Sequence, residues 1–124
     1  MIAVDTSTLI AYLAGERGHV VEALDFALAH NQARLPPVVV TGTLSAPNMP
    51  GNVVCVLLAP PILDIGDGYW ERAGQLRRRV LARGLEAPLA DAPIRQSCLD
   101  HDVPLLTRDR DFKHFAKHRG PTLA

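Results

Sequence analysis

The sequence carries no excess charge of either sign: 13 Lys and Arg balance 13 Asp and Glu over 124 residues. Bulk electrostatics therefore do not mark it as a nucleic-acid or membrane-surface binder, although local clusters still count. No apolar run approaches the ~20 residues of a membrane-spanning helix. The N-terminus enters a strand at once, with no basic region or cleavage site, which leads us to expect a cytoplasmic protein. Cysteine is scarce. Cys55 and Cys98 stand alone, which excludes a thiolate zinc site and a disulfide scaffold, and both are expected to be buried small hydrophobes. Aromatic residues make up 5% of the chain, too few to build an extended base-stacking platform. A glycine-rich phosphate loop is absent, which argues against nucleotide hydrolysis. Repeats, linkers and low-complexity segments are absent too. The length suits one compact domain, residues 1–124.

What is present is an alternation of strands and helices. Ile2-Ala3-Val4 is a short apolar run that ends in Asp5, and Leu9 to Leu13 reads as a helix to about Ala14 with Ser7 as its cap. Val20, Leu24 and Leu28 recur at helical spacing to about His30. Ala33 to Leu35 is a strand candidate. Pro36-Pro37 favours a helix start, whereas Val38-Val39-Val40 favours a strand; the helix, to about Ser45, is preferred. Residues 46–52 form a loop, and Val53 to Leu58 fits either a buried helix or a strand. Ile62 to Ile65 reads as a strand. Tyr69 to Arg83 is the clearest helix, with Trp70, Ala73, Leu76 and Val80 on its apolar stripe. Asp91 to Asp100 is a further helix and Leu105-Leu106 a strand. Asp111 to His118 is a last short helix, and Thr122-Leu123 an edge strand. Such alternation predicts an α/β fold with a mostly parallel sheet covered on both faces.

Acids recur at strand ends and helix starts. Asp5 follows the first strand, Asp91 heads a helix, and Asp109 and Asp111 follow the last strand. A carboxylate at the carboxyl end of a parallel strand points into the crevice where such sheets place ligands. Asp5, Asp91 or Asp109 taken alone has a lesser reading as a helix cap. Together they predict one acidic groove. Oxygen-only ligands favour Mg²⁺ or Mn²⁺ over zinc. Arg77, Arg78 and Arg79 with Arg83 form one basic cluster, and Arg108 and Arg110 flank Asp109. Either cluster fits a solvated face or a phosphate-binding track.

The stretches AVDTSTLIAYLAGE, GYWERAGQLRRRVLARGLEAPLADA and VPLLTRDRDFKHFA resemble the PIN-domain ribonucleases, and among them the VapC-type toxins of bacterial toxin–antitoxin pairs. The resemblance spans nearly the whole chain. It implies a three-layer α/β/α fold, a Mg²⁺-dependent endoribonuclease, a homodimer, and a VapB-like antitoxin that plugs the acidic groove. By position it makes Asp5, Asp91 and Asp109 the metal-binding acids. It makes Thr107 the accompanying hydroxyl residue, and Asp111 is expected to orient water or hold a second ion.

The sequence departs from the family pattern at two points. Gly42, in Thr41-Gly42-Thr43-Leu44-Ser45, stands where the family has a glutamate. Arg95 lies four residues after Asp91 and hence on the same helix face. Pro93 between them is tolerated only in a first helical turn. One carboxylate fewer and one cation more predict weakened metal binding and an attenuated or inactive nuclease. Glu16 or Asp111 filling the gap is the alternative. A binding-only module with the same fold is the chief rival. Phosphatase and phosphoacceptor domains also use a strand-end aspartate, but the accompanying acids they need are absent.

Overall fold

A computed structural model of the chain describes residues 1–108. The elements run β1 (Ile2–Val4), α1 (Thr6–Leu13), α2 (His19–Ala29), β2 (Ala33–Arg34), α3 (Pro37–Leu44), α4 (Gly51–Leu57), α5 (Tyr69–Ala82), α6 (Asp91–His101) and β3 (Leu105–Leu106). The expected helix at 111–118 and edge strand at 122–123 lie outside the described residues.

The three strands form a parallel sheet in the order β2-β1-β3. Ile2 pairs with Ala33, and Val4 with Leu106. Successive strand residues point to opposite faces, yet Ala3 and Val4 are both fully buried, as are Leu105 and Leu106. The sheet is therefore covered on both faces, as the predicted three-layer α/β/α arrangement requires. Leu9, Leu24, Leu35, Leu76 and Val80 complete a continuous core. Each fully buried leucine is worth roughly 1.5–3 kcal/mol.

Pro36 and Pro37 settle the ambiguity at 38–40 in favour of helix. Pro36 takes the N-cap position and Pro37 the first turn of α3, where a missing N–H costs nothing. The ambiguous run 53–58 is also helical, as α4. Four expectations need correction. The strand expected at 62–65 is a single parallel bridge between Leu35 and Ile62. Pro60 and Pro61 bar its extension towards the N-terminus, and on the other side Asp64 and Ile65 are exposed. The cap of α1 is Asp5 rather than Ser7. The core stripe of α5 uses Tyr69 rather than Trp70, which is 54% exposed. Cys98 is buried as expected, but Cys55 is exposed on α4.

Asn31 and Asp102 adopt left-handed backbone, with φ of 54° and 52°, where α2 and α6 turn back towards β2 and β3. Asn and Asp tolerate that conformation better than other non-glycine residues.

Candidate active site

Register places the first two site residues side by side. Val4 pairs with Leu106 in adjacent parallel strands, so the next residue of β1 and the next of β3 meet beyond the sheet. These are Asp5 and Thr107. The Thr107 hydroxyl donates to Asp5 Oδ2. Ser7 Oγ donates to the same oxygen at 3.1 Å, and the Thr8 backbone N–H donates to Oδ1 at 3.0 Å. Asp5 is thus both the N-cap of α1 and a buried carboxylate, 2% exposed, at the carboxyl end of β1. The positive end of the helix dipole favours its charge. The Asp-Thr-Ser-Thr run carried this signal in the sequence, since an aspartate two and three residues before a hydroxyl and a free N–H is a capping pattern.

Asp91 is the first residue of α6, and its N–H donates to Pro88 O at 3.1 Å. Ala90 occupies the cap position without a side-chain bond. Capping therefore does not account for Asp91, which is nevertheless buried. Pro93 falls in the first turn, the only place it is tolerated. One turn on, Arg95 is fully buried. Burial pulls its guanidinium down to about 10, and it stays charged at neutral pH. Arg95 thus brings a positive charge into the interior on the helix that begins with Asp91.

Gly42 lies at the crossing of α3 and α1. A β-carbon added there would sit 2.6 Å from Thr6 Oγ1 and 3.2 Å from its methyl group. The glycine is a packing requirement, and a longer side chain at this position meets Thr6 before it meets solvent.

Glu16 forms an ion pair with Arg108 at 3.1 Å. That pairing ties Arg108 down beside the turn after α1. Arg77 Nε donates to Ala87 O at 2.8 Å, while Arg78 and Arg79 are exposed on α5. Asp109, Arg110 and Asp111 lie outside the described residues. Among the described residues no group of three or more His, Cys, Asp or Glu is placed to hold a metal ion. Two buried carboxylates offer the hard oxygen donors that a divalent cation takes. The buried cation one turn further along α6 and the missing acid at Gly42 oppose it. The fit to such an ion is therefore weak but chemically of the right kind.

An open parallel sheet with a hydrogen-bonded carboxylate beyond its strand ends defines an α/β domain of the kind that takes ligands off the carboxyl edge. The chain belongs to the PIN domain family, whose model matches residues 2–118. PIN domains are in general metal-dependent nucleases, often acting on RNA. A search of the curated proteins found no match. No helix among the described residues is long and apolar enough to cross a membrane.

Proposed function

We propose that the chain is a toxin-type PIN endoribonuclease whose metal-dependent cleavage is attenuated. The observation that carries this reading is the buried Arg95 one turn after Asp91. A buried charge in low dielectric acts on its neighbours far more strongly than one in water. Asp5, Asp91 and Asp109 would hold Mg²⁺ or Mn²⁺. When bound, such an ion acidifies a retained water and offsets charge on the phosphate. The chain's own residues supply the rest. Ser7, Thr8 and Thr107 fix the Asp5 carboxylate in one orientation. Arg78, Arg79 and Arg110 hold the RNA backbone, with Arg77 and Arg108 alongside, while Asp111 orients water. By its resemblance to toxin–antitoxin nucleases, the protein works as a cytoplasmic homodimer held in check by a VapB-like antitoxin.

The test is cleavage of single-stranded RNA in Mg²⁺ or Mn²⁺. Slow cleavage that disappears with chelator, and rises in Arg95→Met, supports the proposal. Absence of cleavage in both proteins, with RNA still bound, favours the rival reading of a binding-only module.

A further inference from the structure

The outward stripe of α5 is Trp70, Gly74, Arg77, Arg78 and Leu81, which recur at helical spacing on one face. Trp70 is 54% exposed, Leu81 43% and Leu89 beside them 74%, so a strip of apolar surface is open to water. Two clefts adjoin along it. The first, of about 410 Å³, lies against Trp70, Gly74 and Leu89; the second, of about 490 Å³, lies against Gly74, Arg77, Leu81 and Leu89. Glu71 and Arg78 sit on one flank of the stripe, about two turns apart, and both are exposed. Neither meets an opposite charge one turn away within α5, where Gly74, Gln75, Leu81 and Ala82 stand. Gly74 falls midway between them. A β-carbon there would touch nothing within 4 Å. Packing within the described residues therefore does not call for glycine, which weakens a helix interior.

We infer that this face joins two copies of the chain, with α5 packed antiparallel on its symmetry mate about Gly74, so that Glu71 of each copy meets the partner's Arg78. The contact deepens the homodimer of the toxin-type reading, on which it rests, by naming its face and register. Charge complementarity selects the occupant. A two-fold axis across the midpoint of α5 sets the same flank of both helices together, and it brings position 71 opposite position 78 twice over. A parallel pair would set acid against acid and base against base, which repulsion opposes. The same register carries Trp70 between the partner's Arg77 and Leu81, into the second cleft. A large aromatic seated in an apolar pocket is the usual anchor of such a contact. Gly74 at the axis lets the two helices approach closely.

The pairing leaves room for RNA. Arg79 and Arg83 lie further round α5, outside the stripe. The Arg78 guanidinium has five N–H donors, so one that meets a carboxylate keeps others for a phosphate.

The full-length protein is followed by sedimentation velocity over a range of concentrations. Trp70 is the only tryptophan in the chain, and its emission is recorded in parallel. A dimer whose formation shifts that emission to the blue supports the contact. Glu71→Arg and Arg78→Glu each set like charges together at two places, and each weakens the dimer about 10- to 100-fold. Mixing the two variants restores it, because a mixed dimer again pairs acid with base at both places. A chain carrying both changes also dimerises. Gly74→Leu holds the helices apart and gives a monomer with the native circular dichroism. A dimer indifferent to these changes, or single variants that do not recover on mixing, overturns this face and leaves the homodimer standing. A protein that is monomeric at every concentration overturns the homodimer as well. Quenching of Trp70 by a short oligouridylate in that monomer assigns the face to RNA instead.

Discussion

Gly42 packs against Thr6 so closely that a β-carbon at residue 42 would stand 2.6 Å from the Thr6 hydroxyl oxygen. Replacing a mid-helix glycine by alanine ordinarily stabilises by about 0.5–1 kcal/mol. Here overpacking outweighs that gain, and Gly42→Ala is expected to lose about 1 kcal/mol or more. Thr6→Ala removes both atoms nearer than 3.4 Å. In that background Gly42→Ala becomes neutral or stabilising. Chemical denaturation of the four proteins of this cycle measures the coupling, and simple additivity contradicts the contact. Restoring a carboxylate with Gly42→Glu likewise needs Thr6→Ala beside it.

Asp5→Asn places a donor or a weaker acceptor where three donors converge on a carboxylate. We expect it to abolish RNA cleavage and also to lower stability by about 1–3 kcal/mol. A thermal melt measured beside the cleavage assay separates the two effects. An unchanged melting temperature would show that Ser7, Thr8 and Thr107 do not depend on the charge.

Thr43 is fully buried on α3, and among the described residues its hydroxyl has no hydrogen-bond partner. Thr43→Val removes an unpaired polar atom and keeps the branched shape. It should raise stability by about 1 kcal/mol. A fall in stability would mean that the hydroxyl is satisfied by water.

Cys98 governs stability at high pH. Burial pushes its thiol up from 9.0 to about 12, against the pull of Arg95. The unfolded chain loses that proton near pH 9 and the folded chain near 12. Stability is thus fully present below pH 9 and lost as pH rises through this window, by about 1 kcal/mol at pH 10. Arg95 acts in the opposite sense above about 10, where the folded guanidinium gives up its proton before the unfolded one does. Burial also raises Tyr69, which adds to the loss above its ordinary range. Between pH 9 and 10 the Cys98 loss leads, with Arg95 and Tyr69 only beginning to act in opposite senses. Urea midpoints across that interval should fall in the native sequence and stay flatter in Cys98→Ala.

The placing of Asp5 and Thr107 at strand ends was legible because strand ends are local. Apolar runs closing on Asp5 and on Thr107 mark adjacent strand tips, and parallel pairing does the rest. The helix position of Arg95 relative to Asp91 followed from spacing alone, but its complete burial did not. What escaped reading was tertiary. Trp70 and Tyr69 fit the same helical stripe equally well. Tyr69 is buried because its hydroxyl reaches Pro93 O at 2.5 Å and Ser97 Oγ at 2.9 Å on α6. The run at 62–65 looked like a strand by composition. Ile62 and Ile65 are instead 52% and 46% exposed, so burial does not hold it in the sheet. Gly42 read only as a missing acid, since nothing nearby in sequence announces Thr6.

The left-handed turns at Asn31 and Asp102 lead into β2 and β3, so parallel strands put them on the rim opposite Asp5 and Thr107. The molecule therefore has a back from which it can be held. A dye, bead or surface linker fixed at exposed Gln32 would orient every copy with the rim that carries Asp5 and Thr107 towards solution.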